Sequence, residues 1–486
     1  MTSGPSWPAR QPVGWAHWTH LSGRPSVSAI RFRARIALAL TLALPLAASA
    51  ASADHWDVPV AVKKLDNGLT VVVSEDRSAP VVGVSVVYGI GMRLEPRNRT
   101  GFAHLFEHLM FEGSANAPEG VFDRVITGGG GRNNGSTRAD FTNYIETAPS
   151  TALEPILWLE ADRMRLLDFN PETLKNQQDV VKEEIRNNVQ NQPYGGFMWL
   201  DTGFHAFQKW ENNHDGYGSF EDLEAATLDD VKAFHRDYYG PNNAVLSIAG
   251  DLTPAQGFAL AQKYFGDIQA RPTPPAPDFS EGLNTEEKRI QQGDRLAQVP
   301  AIALSWKMPD RGSKDQAPMA VLGSLLANGD ASRLYQGVVK GRELALNVEP
   351  LYGLTSEWEY NGPTLFTVFA LYKPDTDADS VVEAVDEEIA RIVGEGVDDA
   401  TLARVKIQLL SDWYDGMESF MSRADTLAKL QLLWGDAHVV NRIPGWIDAV
   451  TSADVQRAAR TYLTAANRTV IDRKPEAMLK AAGSRE

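Results

Sequence analysis

The 486-residue sequence predicts an α+β fold in which one unit occurs twice. Two pairs of matching segments support this prediction. TLDDVKAFHRDYYGPNNAVLSIAGD, from Thr227, aligns without gaps with TSADVQRAARTYLTAANRTVIDRKP, from Thr451. In the same order, FAHLFEHLMFEGS, from Phe102, aligns with PMAVLGSLLANGD, from Pro318. Chance similarity of amphipathic helices explains either match alone but hardly both, so we interpret the chain as a duplication of one α+β unit.

The N-terminal segment has the pattern of a secretory signal peptide. Three arginines precede an apolar run at 36–47, and small residues follow at Ala51 to Ala53. The run is short for a bilayer span, although an N-terminal membrane anchor is the alternative. We therefore expect residues 1–53 to be an extended N-terminus and signal peptide. We expect the mature chain to be exported and soluble, in the periplasm if the host is a Gram-negative bacterium.

The remaining elements follow in the order of the two copies. Residues 60–74 and 81–89 alternate as strands do, and an Asp-Asn-Gly turn makes the first a hairpin. In the first copy, helices are predicted at 101–111, 152–167 and 171–188. In the second copy, the order resumes with a strand at 301–307 and a helix at 319–326.

A Pro-rich stretch separates the two copies and is typical of an interdomain linker. The predicted organisation is an N-terminal half at 54–270, the linker at 271–282 and a C-terminal half at 283–480.

Composition excludes several classes of function. The formal net charge is −16 and no basic stripe is present, so nucleic acid is an unsuitable partner. The sequence has no cysteine, which excludes disulfides, thiolate metal sites and a cysteine nucleophile. Its nine histidines are scattered, whereas a metal-storage or metal-sensing module would cluster them.

An H-x-x-E-H motif, formed by His104, Glu107 and His108, interrupts the first predicted apolar helix. Histidines four residues apart lie on one helix face, where both imidazoles can reach one zinc ion. Glu107 shares that face and can take a proton from a water molecule that zinc polarises. In the second copy small residues occupy the same positions, namely Ala320, Gly323 and Ser324. Packing therefore does not require the polar trio, although two core histidines bonded to the backbone are the alternative.

The best candidate for a third ligand lies in NQQDVVKEEIRNN. Glu184 shares a helix face with Val181 and Ile185, and a carboxylate on an apolar face is costly unless it is paired or bound to a cation. Glu183 is the alternative, because the phase of a helix read from sequence can slip.

These residues together resemble the pitrilysin and insulysin-type zinc peptidases, an inverzincin family. The resemblance is strongest to the bacterial and mitochondrial-processing-peptidase-like members. It covers nearly all of residues 54–480, including the duplicated halves and the segment SRLYQ at 332–336. It implies an α+β clam-shell of two similar halves, each of two αβ subdomains. The halves would close around a chamber in which peptides or unfolded short proteins are cut.

The resemblance also implies an edge strand that binds substrate after a GG-x-x-N-A-x-T segment. Here GGGGRNNGSTRADFTNY, at 128–144, contains Asn134 and Thr137, with Gly135 where alanine is usual. Backbone pairing to such an edge recognises an extended peptide without demanding particular side chains. A Gly/Asn-rich surface turn is the alternative.

Two departures from the family pattern bear on activity. Gln177 stands where a second glutamate is common, and its neutral amide can bond to Glu184 but adds no charge. Active single-chain members use an arginine and a tyrosine of the second half to hold the substrate carbonyl. The matching stretch keeps Arg342 but has Leu346 or Asn347 in place of tyrosine. The resemblance therefore implies a homologous partner subunit that supplies the arginine and tyrosine, in a heterodimer.

The sequence as a whole predicts the Zn²⁺-dependent metalloendopeptidase subunit of such a pair. The predicted site residues are the zinc ligands His104, His108 and Glu184, the catalytic base and later proton donor Glu107, and the substrate-binding residues Asn134, Thr137 and Arg342. A non-catalytic assembly or binding subunit of the same fold is the alternative, although such subunits typically lose the zinc trio.

Overall fold

Two sheets with matching strand order organise the chain, in a computed structural model that describes residues 56–353 and 355–483. The first sheet has the order β1-β2-β6-β3-β5-β4 and the second has the order β7-β11-β8-β10-β9. The strands of the first sheet are β1 Ala61–Lys64, β2 Thr70–Glu75, β3 Val81–Tyr88, β4 Arg132–Thr137, β5 Thr142–Pro149 and β6 Ala244–Gly250. Those of the second are β7 Lys288–Asp294, β8 Ala301–Lys307, β9 Glu349–Tyr352, β10 Leu365–Leu371 and β11 Arg468–Pro475.

Helices connect and cover these strands. In the first half they are α1 Phe102–Leu109, α2 Val121–Gly128, α3 Leu153–Arg165, α4 Pro171–Ile185, α5 Thr202–Ala206, α6 Trp210–Asn213, α7 Phe220–Ala225, α8 Leu228–Tyr238 and α9 Pro254–Phe265. In the second they are α10 Gln316–Ala327, α11 Ala378–Glu395, α12 Asp399–Glu418, α13 Phe420–Trp434, α14 Val439–Ala449, α15 Ser452–Tyr462 and α16 Glu476–Gly483.

The strand order confirms the predicted duplicated α+β fold. Omitting β1, the first sheet reads β2-β6-β3-β5-β4, and the second places a counterpart at each position. Each sheet has one parallel pair, β2 with β6 in the first and β7 with β11 in the second, and the other pairs are antiparallel. No helix or strand occurs between Phe265 and Lys288, where the linker was predicted. The predicted signal peptide lies outside the described residues.

The best-matched repeat segments perform the same structural task in both halves. The Thr227 hydroxyl caps α8 by accepting a hydrogen bond from the backbone N–H of Asp230. The Asp230 carboxylate in turn accepts a hydrogen bond from the backbone N–H of Thr227. Thr451 and Asp454 form the same capping box at α15. Because each box satisfies backbone donors that the helix leaves free, both copies keep these residue types at the same spacing.

Each sheet is covered on one face by helices of its own half and on the other by a segment of the opposite half. Helix α13 of the second half packs on β3, β5 and β6 of the first sheet. Conversely, Phe197 of the first half packs against Ala303, Phe369 and Ile471 on the second sheet. The two halves are therefore interlocked, and the described residues belong to one compact unit.

The close approach of α13 depends on small residues in the first sheet. A Cβ on Gly83 would overlap the backbone carbonyl of Phe420, at the start of the helix. Ser85 faces the same helix and is fully buried.

Among the described residues, no helix is both long and apolar enough to cross a membrane.

Candidate metal centre

Helix α1 carries the H-x-x-E-H motif and is held at its start by a buried carboxylate. Glu95 accepts hydrogen bonds from the backbone N–H groups of Gly101, at 2.9 Å, and Ala103, at 2.8 Å. A negative group at this end satisfies free donors and complements the helix dipole. The apolar face of α1 lies in the core of the first half through Phe102, Leu105, Phe106 and Leu109.

Three side chains converge where α1 meets the end of α4. The Nε2 atoms of His104 and His108 are 3.3 Å apart. The Oε2 atom of Glu184 lies 3.6 Å from the first of these nitrogens and 3.1 Å from the second. The three candidate ligand atoms all lie within 4.8 Å of one another. Two imidazole nitrogens and one carboxylate oxygen form a donor set that suits a catalytic Zn²⁺ ion with an open coordination position.

The neighbouring carboxylate of Glu183 points away from this cluster. Its side chain is 59% exposed and pairs with Arg186, one turn along the helix, at 3.1 Å. The side chain of Glu184 is 28% exposed and faces both histidines. The two glutamates therefore take different positions around α4, and only Glu184 belongs to the cluster.

The charges of the three groups suit one another. Burial favours a higher pKa for Glu184, but hydrogen bonds from His104 and His108 outweigh it and hold the pKa well below its usual range. Burial also acts to lower the pKa of His104, yet Glu184 and Glu107 raise it above the ordinary value for histidine. The Glu184 carboxylate is thus ionised, as a metal ligand must be, and its negative charge favours a cation at this place.

Glu107 lies beside the cluster and is held by strand β4. Its Oε2 atom accepts a hydrogen bond from the Thr137 hydroxyl at 2.7 Å. A Cβ on Gly135 would be 3.0 Å from Glu107 Cγ and 3.2 Å from Phe111 Cε2. The glycine therefore leaves room for the carboxylate, and the threonine fixes its direction.

Tyr217, which was not predicted from the sequence, contacts two members of the cluster. Its ring packs edge-on against His104 with 4.8 Å between centroids, and its hydroxyl donates to Glu184 Oε1 at 3.4 Å. Asn188 donates to the same oxygen at 3.3 Å. Burial, with Glu184 nearby, raises the pKa of Tyr217 to about 12, so the hydroxyl keeps its proton at neutral pH. Tyr217 lies between α6 and α7 without periodic pattern, so no local signal could indicate it.

The predicted substrate-binding residues lie in two places. Asn134 and Thr137 belong to β4, which is one of the two edge strands of the first sheet and, within the described part of the chain, pairs with β5 alone. Asn134 is exposed and Thr137 is buried. Arg342, in the second half, forms an ion pair with Glu387 of α11. The structure brings Thr137 to the candidate centre and places Arg342 in a separate ion pair, and all three substrate roles stay predictions.

The positions that depart from the family pattern can also be located. Gln177 is buried on α4, two turns before Glu184. Leu346 is 50% exposed, and its backbone N–H donates to the carbonyl of Leu371 at 2.7 Å. The neighbouring Asn347 accepts a hydrogen bond from the backbone N–H of Leu371 at 2.9 Å, so neither residue offers the hydroxyl that was expected here.

Two descriptions of one peptidase family match most of the chain. Residues 70–197 match the description Insulinase (Peptidase family M16). Residues 225–409 match the description Peptidase M16 inactive domain. Together they cover more than half of the sequence, and the cluster of His104, His108 and Glu184 falls within the first of them.

Individual proteins resemble the chain over most of its length. Zinc protease PqqE of Helicobacter pylori is 29% identical over 434 residues, 85% of this chain and 92% of that protein. The probable mitochondrial-processing peptidase subunit beta of Arabidopsis thaliana is 25% identical over 413 residues, which cover 83% of this chain and 76% of that one.

Solved structures resemble the fold as well. A protease from Helicobacter pylori superposes with a TM-score of 0.80 at 25% identity, covering 86% of this chain and 100% of that one. The periplasmic protease PqqL from Escherichia coli gives a TM-score of 0.71 at 17% identity, covering 87% of this chain and 48% of that one. The second likeness is one of fold alone.

Proposed function

The chain belongs to the peptidase M16 family, and from this premise we propose that it is an exported, zinc-dependent metalloendopeptidase subunit. It would hydrolyse peptides or unfolded short proteins within a closed chamber. The observation that carries the proposal is the convergence of His104, His108 and Glu184 within 4.8 Å, beside Glu107. The names of similar proteins support zinc as the metal and proteolysis as the reaction.

The proposed roles follow from the contacts of each residue. His104, His108 and Glu184 would hold Zn²⁺, which when bound supplies a Lewis acid that polarises a water molecule and the scissile carbonyl. Glu107 would accept the proton of the attacking water and return it to the leaving amine. Because Thr137 occupies Oε2 of Glu107, we assign both proton transfers to Oε1.

Contacts around the cluster support its role by fixing the ligands. Tyr217 and Asn188 both donate to Glu184 Oε1, which leaves Oε2 directed at the histidines. Groups that orient metal ligands in this way commonly raise metal affinity by 10–100-fold, on the order of 1–3 kcal/mol. The ligands would thus be ordered before the ion arrives.

Substrate would lie along β4 as an added strand. Only one side of this edge strand is paired in its sheet, so its backbone can bind an extended peptide beside Glu107. Asn134 and Thr137 would mark the ends of the contact, with the exposed Asn134 available to substrate.

A homologous partner subunit would complete the active site. Arg342 is paired with Glu387, and Leu346 offers no hydroxyl to a substrate carbonyl. A partner that contributes an arginine and a tyrosine would supply that donor in a heterodimer. The arginines and apolar run before residue 53 support export, with the periplasm as the proposed site of action.

A non-catalytic assembly or binding subunit is the second candidate. The match of residues 225–409 to a domain described as inactive favours it for the second half. The first half retains the cluster and Glu107, which such a role does not require.

Peptide cleavage with controlled zinc content separates the two candidates. The purified mature chain, with and without its co-purified partner, would be stripped with a chelator and titrated with Zn²⁺. Turnover of an internally quenched peptide should then rise and saturate near about one zinc per chain. A chain that binds one zinc but cleaves no peptide in either form would favour the assembly role, and a chain that binds none would contradict the proposal.

A further inference from the structure

A buried polar chain joins helix α13 of the second half to the first sheet. Asp425 Oδ1 accepts hydrogen bonds from Ser85 of β3, at 2.9 Å, and from Asn143 of β5, at 2.7 Å. Both donors are at most 2% exposed, and Asp425 is 9% exposed. Burying a carboxylate on the face of a sheet costs free energy unless hydrogen-bond partners are held in place to compensate for the lost water.

Lys429 secures the carboxylate from the other side. Its Nζ atom lies 2.6 Å from Asp425 Oδ2 and 3.2 Å from a carboxylate oxygen of Glu359. The same nitrogen is 5.4 Å from the ring centroid of Phe141, just before β5. Burial works against the charge, but the two carboxylates raise the pKa of Lys429 above its usual value, so it remains protonated.

The chain continues from β5 to the edge strand. The Oδ1 atom of Asn143 accepts a hydrogen bond from the Ser136 hydroxyl of β4. Ser136 and Asn143 are also cross-strand partners in the sheet register. A side-chain path thus runs from Asp425 through Asn143 to Ser136, in addition to the backbone ladder.

The two faces of β4 therefore have different surroundings, α1 on one side and, through Asn143, the side that α13 covers on the other. Successive strand residues face opposite sides of a sheet, so Gly135 and Thr137 face α1 while Ser136 faces α13. On the α1 side, Thr137 donates to Glu107 Oε2 at 2.7 Å. On the α13 side, Ser136 reaches Asp425 through Asn143. As an edge strand, β4 has no second strand to fix it.

We propose that Asp425 is a positioning residue for the peptidase reaction. Through Asn143 and Ser136 it would fix the position of β4 relative to α1. The position of β4 in turn sets where the Thr137 hydroxyl, which orients Glu107, is placed. The second half, which lacks a zinc motif of its own, thereby contributes to catalysis by the first. This inference rests on the proposed peptidase function, but its structural part, the ordering of β4, can be measured without activity.

Three variants and one matched control test the inference in the full mature chain with its partner. Ser136→Ala removes the last link, Asp425→Asn weakens the first, and the double variant combines the two changes. Asp76→Ala is the control, because Asp76 also joins the first half to α13, by a 2.9 Å contact with Arg423, but does not reach β4. Zinc content, kcat and KM for a quenched peptide, and amide hydrogen exchange of β4 would be measured for each.

Displacement of Glu107 by a fraction of an ångström predicts about a 10-fold fall in kcat for Ser136→Ala and for Asp425→Asn. The double variant should fall no further than the lower single variant, because both act through one path. Zinc content should stay equal to that of the wild type, and β4 amides should exchange faster. The control should keep kcat and β4 exchange unchanged even if its stability falls.

The proposal is overturned if Ser136→Ala keeps both kcat and β4 exchange at the level of the control. It is also overturned if the effects of the two single variants multiply, since independent effects mean separate routes. Should Asp425→Asn fail to fold, Ser136→Ala alone decides. If even the wild type cleaves nothing, the proposed function fails, and the exchange of β4 amides still reports whether Asp425 orders the strand.

Discussion

The hydroxyl of Tyr352 lies so close over Gly323 that a Cβ on the glycine would overlap it. In the first half the corresponding helix position is Glu107, and the registers of the two sheets give Thr137 as the corresponding edge-strand position. The large side chain thus comes from the helix in the first half and from the strand in the second. The second half has filled with an aromatic ring the space that the first keeps for a carboxylate.

Replacing Gly323 by alanine should therefore destabilise the protein. The new Cβ would also lie 2.9 Å from Phe366 Cε2 in a fully packed core, and overpacking of this kind costs about 1–3 kcal/mol. Gly394→Ala is the control, since a Cβ there meets nothing within 4 Å in α11, and it should stabilise by about 0.5–1 kcal/mol. Denaturant unfolding measures both, and adding Tyr352→Phe should relieve much of the Gly323→Ala loss. A Gly323→Ala protein as stable as the wild type would show that the ring moves freely.

The duplication could be predicted from sequence because both halves reuse side chains that satisfy backbone groups. Besides the capping boxes, Asn243 donates to the carbonyls of Gly89 and Tyr238. Asn467 makes the same pair of bonds to Lys307 and Tyr462. These hydrogen-bonding roles are local and allow few residue types, so the same residue types remain at these positions in both halves. Most other positions need only be apolar, and their identities have diverged.

The candidate centre was predictable only where its residues share one helix. His104, Glu107 and His108 follow from helix periodicity, and the apolar side of α4 favours Glu184. Tyr217 comes from an irregular loop, and Asp425 comes from a helix more than 280 residues from its partner Asn143. No local pattern marks a polar residue whose partner is so distant. Likewise, the exchange of covering segments between halves depends on long-range packing.

Glu184→Gln should lower zinc affinity sharply, whereas Glu183→Gln should leave it nearly unchanged. The first variant removes a candidate ligand that faces both histidines, and the second alters an exposed carboxylate paired with Arg186. Loss of a ligand should cost more than the roughly 10–100-fold of an orienting contact. Competition with a chelating dye measures both constants. The reverse ranking would mean that Glu183 supplies the ligand.

His214 should make stability fall as the pH rises through and above neutrality. Its Nε2 atom lies 3.0 Å from Glu95, and although burial opposes the charge, that carboxylate raises the pKa of His214 above its ordinary value. A histidine whose pKa is higher in the folded state than in the unfolded state stabilises the folded state. This stabilisation is fully present below the unfolded pKa of about 6.5 and is lost as the pH rises through the higher, folded-state pKa. His214→Gln should be destabilised most at low pH, with the gap from the wild type narrowing as the pH rises toward 9.

Denaturant unfolding in the presence of a chelator measures this gap, since zinc binding itself varies with pH. His438→Gln is the control, because His438 also lies 3.0 Å from a carboxylate, that of Asp436, but its side chain is 55% exposed, and such a solvent-screened pair contributes little to stability. A gap between wild type and His214→Gln that stays constant from pH 6 to 9 would remove His214 from the account.

The isolated chain should bind zinc yet cleave peptides slowly. Arg342 is engaged with Glu387 and Leu346 has no hydroxyl, so neither side chain is placed to act as the expected donor to the developing oxyanion. Loss of one such donor typically costs about 10²–10³ in turnover. Adding a homologous subunit that bears the arginine and tyrosine should restore that factor, as followed by quenched-peptide cleavage and analytical ultracentrifugation. Full activity from a monomer or homodimer would refute the heterodimer.

The most direct test of the central claim is the turnover of a quenched peptide by Glu107→Gln at a measured zinc content. The amide keeps the shape of the carboxylate and can still accept from Thr137, but it cannot take a proton. Mass spectrometry should find about one zinc per chain, as in the wild type, because the ligands are unchanged. We expect turnover to fall by at least about 10²-fold with that zinc retained. A zinc-loaded Glu107→Gln chain that cleaves peptide at the wild-type rate would contradict the central claim.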